Sequence, residues 1–154
     1  MDYYDEIAEG YHELHGGEQR KKLALVKKHL KLNPADKVLD VGCGTGLSSD
    51  FEQFVVGIDP SFGLLKQNKK PSVQGKAEHL PFKDHSFDAV VCLTAIHHFD
   101  VEKALAEMQR VGKKHSAISV LNKAKNRKIL EKNILARFPS ARCVEGEKDV
   151  FFIL

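Results

Sequence analysis

Three glycines at every second position, Gly42, Gly44 and Gly46, stand directly behind an apolar run, Lys37-Val-Leu-Asp-Val41. Glycine lets a backbone turn sharply and approach a ligand without side-chain clash. A strand running into such a loop can therefore hold a small molecule close to main-chain atoms. Two common loops are excluded. The dinucleotide fingerprint GxGxxG fails in both registers, because Leu47 and Ser49 stand where its last glycine is required. No Gly-Lys-Ser/Thr follows, so the phosphate loop fails as well. Seventeen residues after Gly42 comes Asp59, at the end of the next β-rich run, Phe54-Val-Val-Gly-Ile58. A carboxylate at that point can accept hydrogen bonds from both hydroxyls of a ribose. Alone, the glycines could be a turn with no ligand, and Asp59-Pro60 a turn or helix cap. Together they point to a cofactor that contains adenosine.

Other reactive side chains offer less. His97 and His98 follow the apolar run Phe87–Leu93, and an imidazole can take a proton near neutral pH, so His97 is the candidate general base; packing or loop structure is the competing role. The remaining histidines have no metal-binding spacing, so no metal is expected. Cys43 sits inside the glycine loop and Cys92 inside a buried run, which makes neither a good nucleophile. The three cysteines are odd in number, scattered and without a CxxC, against a disulfide framework or zinc module and for a reducing, cytoplasmic setting.

These groups need a scaffold, and the 154 residues suffice for one domain. Apolar residues make up 42% and charged residues 29%, a globular balance. The start is acidic where a signal peptide would be basic, and the longest nearly apolar stretch, 89–96, is far too short to span a bilayer. Helical spacing runs from Glu18 to Leu32, ended by Asn33-Pro34. Strands are expected at 37–41, 54–58, 87–93 and 117–121, with closing strands around Val144 and at 150–154. Between them fall a short helix at 47–52, one from Ser61 to Lys69, one at 101–111 and a basic one at 125–138. Strands alternating with helices predict an α/β fold, a mostly parallel sheet with helices on both faces. The expected division is N-terminal helices over 1–32, a cofactor core over 37–121, and a short basic helix with closing strands over 122–154.

Four stretches in order resemble the class I S-adenosylmethionine-dependent methyltransferases. Val38-Leu-Asp-Val-Gly-Cys-Gly-Thr-Gly46 is similar to the first motif and Val55-Val-Gly-Ile-Asp-Pro-Ser61 to the ribose motif. Gly75-Lys-Ala-Glu-His-Leu-Pro-Phe82 resembles the adenine-side motif, and Phe87–Phe99 the fourth strand with its exit loop. The opening Tyr3–Tyr11 is similar to the N-terminal helix of the ubiquinone-biosynthesis-like branch. The resemblance covers roughly residues 1–121 and implies a Rossmann-like sandwich that binds S-adenosylmethionine. It implies that Gly42, Cys43 and Gly44 pass under the methionine moiety, with Asp40 near its amino group. Asp59 would hold the ribose, Pro60 would pack near the adenine, and Ala77 and Glu78 would frame its edge. Leu93 and Thr94 would meet the methionine end. Tyr4 and Tyr11 would close over the sulfonium, since aromatic faces attract cations, unless they only pack the helix.

Three departures stand out. Lys76 replaces the acid that usually accepts from the adenine amino group, and lysine has no acceptor. The stretch after Gly46 is short. The segment after Val111 is compressed, and no substrate cap is inserted, so an open pocket mouth is expected. Charge is uneven as well. Residues 113–142 hold nine basic side chains against Glu131 alone, a net +8 that leaves −5 for the rest. A basic run beside an open mouth favours an RNA or protein acceptor, or a partner protein that caps the site. A solvated helix face is the plainer account of the same lysines. The alternatives are a small-molecule methyltransferase and a non-catalytic methyltransferase-like subunit; a nicotinamide-dependent oxidoreductase is disfavoured by the failed fingerprint.

Overall fold

The run Phe87–Leu93 alternates between two cores. Val90 and Cys92 face one, while Ala89, Val91 and Leu93 face the other. A strand buried on both sides reads as continuous apolar sequence, as this one does. It is β4 of a seven-stranded sheet in a computed structural model that describes residues 11–154, with side chains from residue 16 onward. The preceding strands are β1 (Lys37–Val41), β2 (Phe54–Asp59) and β3 (Ser72–Gln74); the following ones are β5 (Gly112–Leu121), β6 (Arg142–Glu145) and β7 (Asp149–Ile153). Their order is β3-β2-β1-β4-β5-β7-β6. The first five run parallel, and β7 is antiparallel to both neighbours.

The helices are α1 (Tyr11–His29), α2 (Phe62–Leu65), α3 (Val101–Val111) and α4 (Arg127–Arg137). Leu105, Met108 and Val111 of α3 and Leu130 and Ile134 of α4 fill one side of the sheet. Leu23 and Val26 of α1, with Leu30 just after it, cover the other side, joined by Phe51. Asp100 caps α3 by accepting from the Lys103 amide. Among the described residues no helix is long and apolar enough to cross a membrane.

Three local expectations fail for physical reasons. Residues 47–52 form a turn at 47–48 followed by irregular chain rather than a helix, because the Ser48 and Ser49 hydroxyls are drawn down to Asp40 beneath them. The helix begun by Ser61 stops at Leu65 instead of Lys69. The Asn68 side chain turns to the Gly44 carbonyl and the Lys70 amide, and Pro71 follows. Strand β3 was not expected, since Val73 is its one apolar residue; it forms by pairing in register with β2 at the sheet edge.

Candidate functional site

The strand order reverses between β1 and β4, and ligands of open α/β sheets bind at such a point beyond the carboxyl ends. A cleft of about 350 Å³ lies there. The glycine loop forms its floor. Gly42, Gly44 and Gly46 all have positive φ, at 75°, 53° and 90°. At Gly42 a Cβ would stand 2.5 Å from the Ala95 Cβ, so only a bare backbone fits under this cleft.

Asp59 ties the loop to the end of β2. One carboxylate oxygen accepts the Gly44 amide at 2.9 Å, the other the Ser61 amide at 2.8 Å. Asp59 itself lines the cleft beside Gly44 and Pro60. Pro60, Lys76 and Glu78 continue this wall, and Glu78 also accepts the Asp100 amide at 2.8 Å. Leu93 and Thr94, at the exit of β4, close the opposite end together with Ala95, His98 and Phe99. Thr94 has φ 59°, a costly conformation for a β-branched residue. Its amide donates to the Ser119 hydroxyl at 2.8 Å and its hydroxyl to the Asp149 carboxylate at 3.0 Å, which holds the strained turn in place.

Other candidates lie elsewhere. Asp40 is wholly buried below the loop, not on the cleft wall; it accepts from Ser48 at 2.8 Å and Ser49 at 2.5 Å. Cys43 and Ala77 are buried behind the lining, and burial pushes the Cys43 thiol well above its usual range. His97 does not line the cleft; its neighbour His98 does. The His97 Nδ1 is enclosed without a partner, and burial, aided by His98, lowers its pKa to about 4, so the ring is neutral at physiological pH. The 3-10 turn Ile96–His98 decides which imidazole faces the cleft, and periodicity cannot reveal that. Tyr4 lies outside the described residues, as does the side chain of Tyr11, which opens α1. Among the described residues no three metal-ligating side chains converge. Leu64 and Phe99 were missed as lining residues, and nothing in their local sequence marks them.

Burial pushes the Asp40 carboxyl up to about 6, against the opposing effect of the two serine hydroxyls. The folded chain therefore keeps a proton there that the unfolded chain releases near pH 4. This contribution to stability is complete below about pH 4 and is lost as pH rises through 6, on the order of 3 kcal/mol in all. Asp40→Asn has no such proton to lose. Melting curves of both proteins from pH 4 to 7 should show the wild type losing ground to the variant; parallel curves would contradict the assignment.

A model of the methyltransferase domain matches residues 39–120. An uncharacterized protein of Methanocaldococcus jannaschii is 37% identical over 118 residues, covering 71% of this chain and 46% of its own. A demethylmenaquinone methyltransferase of Streptomyces avermitilis is 36% identical over 124 residues, covering 71% of this chain and 54% of its own. The chain thus spans about half the length of the curated relatives it matches. Among solved structures, a complex between the Haloferax volcanii Trm112 methyltransferase activator and a putative methyltransferase aligns with TM-score 0.78 and 17% identity, covering 94% of this chain and 79% of that one. A Thermotoga maritima S-adenosylmethionine-dependent methyltransferase, titled a possible histamine N-methyltransferase, aligns with TM-score 0.72 and 19% identity over 97% of this chain and 96% of that one. With its motifs in order, its strand order and the matched domain, the chain belongs to the methyltransferase domain family and has the class I S-adenosylmethionine-dependent methyltransferase fold.

Proposed function

We propose that this chain transfers a methyl group from S-adenosylmethionine to a small organic acceptor. The observation that carries the cofactor half is the meeting of the glycine loop with Asp59 on one cleft. In this reading Gly42 and Gly44 pass under the methionine moiety, Asp59 holds the ribose, Pro60 and Glu78 lie along the adenine, and Leu93 and Thr94 border the methionine end. The bound cofactor supplies an activated methyl carbon. The protein then needs chiefly to orient and desolvate the two reactants. His98, which lines the cleft, takes the role of proton acceptor that the sequence suggested for His97.

A second cavity of about 490 Å³ supports the acceptor half. It lies between α1 and the turn before β7, with Leu25 and Phe151 among its apolar lining and Lys22 and Asp149 as polar members. Asp149 is hydrogen-bonded to Thr94 of the cofactor cleft, so the two spaces share a wall. Relatives named demethylmenaquinone methyltransferases bear the name of a small organic acceptor rather than of RNA or a protein. Of the basic segment that favoured RNA, Lys113, Lys114 and Arg127 are paired with acids. Lys113 and Lys114 begin β5, at the end of the sheet away from the cleft, and pair with Asp88 and Asp36. Arg142 is in register with Ile153 and, through it, with Ala117 in the middle of β5. Lys123 and Lys125 precede α4 on the cleft side, and Arg127 pairs with Glu131 at 2.6 Å. A second reading, in which a partner protein completes the site, takes its support from the archaeal activator complex of the same fold.

The test has two stages. Calorimetry with S-adenosylmethionine and S-adenosylhomocysteine should give binding of both; binding of neither refutes the cofactor half. Tritiated methyl transfer into cell extract should then label a low-molecular-weight fraction. Label confined to an RNase-sensitive or protease-sensitive fraction would replace the small acceptor with RNA or protein. Lys76 offers a further check. Lys76→Asp should tighten cofactor binding by about three- to tenfold, because it restores an acceptor on the adenine side of the cleft. Unchanged affinity would place position 76 beyond the adenine's reach.

A further inference from the structure

Thr94 is β-branched and stands at φ 59°, in the left-handed region where a branched side chain crowds its own backbone. Such a conformation persists only where the surroundings over-determine it. Three elements, far apart in sequence, do so here. Ser119 on β5, in register with Leu93, accepts the Thr94 amide at 2.8 Å. Asp149, which opens β7, accepts the Thr94 hydroxyl at 3.0 Å. Lys22 on α1 donates to that same hydroxyl at 2.7 Å, and its ammonium also lies 2.9 Å from Asp149 and 3.1 Å from Glu18. Ser119 and Asp149 are buried, and the Lys22 side chain is 6% exposed. A buried ion pair adds little net stability, because desolvation offsets its attraction. What this pair holds explains it better than stability does.

The turn at Thr94 decides where the chain goes after β4. Beyond it the Ala95 methyl sits against Gly42 of the glycine loop, and Ala95, His98 and Phe99 line the same cleft. We infer that Lys22, Asp149 and Ser119 are positioning residues for cofactor binding: they hold Thr94 at positive φ, so that residues 95–99 close the methionine end of the cleft. The inference rests on the proposed cofactor reading, which puts that end at Leu93 and Thr94. None of the three lines the cleft, and each acts through Thr94. When a tether is lost, Thr94 relaxes toward negative φ in part of the molecules. Affinity then falls with the fraction that keeps the competent turn. Through Lys22, the shape of the cleft also depends on the seating of α1.

Glycine separates positioning from plain structural support, because it adopts positive φ without strain. Thr94→Val and Thr94→Gly both lose the hydroxyl contacts, but only valine keeps the strain. Measured by calorimetry on the full chain, Thr94→Val should weaken S-adenosylmethionine and S-adenosylhomocysteine alike by about tenfold. Thr94→Gly should bind both several-fold more tightly than Thr94→Val, although glycine is ordinarily the more disruptive replacement. Ser119→Ala and Lys22→Met should each weaken both ligands, and adding Thr94→Gly to either should recover part of the loss. Those two pairs carry the test if Thr94→Val fails to fold. Wild-type affinity in Thr94→Val, glycine no better than valine at position 94, or no recovery in either pair would overturn the inference while leaving the cofactor reading intact. Failure of the wild type to bind either ligand would remove both.

Discussion

Asp59→Ala is expected to weaken S-adenosylmethionine binding at least about tenfold, from the loss of a charged acceptor whose hydrogen bonds contribute about 1.5–3 kcal/mol each. The structure adds a second consequence. The same carboxylate receives the Gly44 and Ser61 amides, so its removal leaves two buried donors without their partner and loosens the loop under the cleft. A melting temperature lowered by several degrees should therefore accompany the lost affinity. Asp59→Asn, which keeps one acceptor oxygen, should fall between wild type and Ala in both measurements. Calorimetry and thermal melts on the three proteins settle the point. Wild-type affinity in a folded Asp59→Ala would show that the ribose is held elsewhere.

The second large effect belongs to Gly42. Gly42→Ala puts a methyl group 2.5 Å from the Ala95 Cβ while holding φ at 75°, where alanine is disfavoured. Ala95 is buried and has no flexible side chain to swing aside, so β1 and the 3-10 turn must separate. Strain and overpacking together should cost on the order of 2–4 kcal/mol, and cofactor binding should be lost with the shape of the floor. Gly44→Ala provides the internal comparison. Its Cβ would meet Leu64 at an ordinary 3.5 Å, and its φ of 53° lies within the left-handed region that other residues occasionally adopt. The expected order in melting temperature is wild type, then Gly44→Ala, then Gly42→Ala well below. Equal loss at the two positions would mean that conformational strain rather than the contact with Ala95 limits the loop.

Much of this architecture was legible in the order of residues. The apolar runs at 37–41, 54–58 and 87–93 read as strands, the last continuous in apolar character like one covered on both faces, and they are β1, β2 and β4. Glycines behind one strand and Asp59 behind the next had to meet, because parallel neighbours end on the same side of a sheet. Local pattern determines such features, since period and turn chemistry act over a few residues. Other features depend on where distant parts of the chain come to lie. Asp40 alternates inward like any strand residue, and only the path of Ser48 and Ser49 above it turned a helix into turns. The short 3-10 turn, not the sequence of two histidines, placed His98 on the cleft and enclosed His97. Lys113 and Lys123 were set at opposite ends of the sheet because β5 runs between them. The pairing of Lys22 with Asp149 joins the first described helix to the last strand, and no local pattern encodes a contact of that span. Both side chains are buried, and that burial is decided only when α1 closes over the sheet.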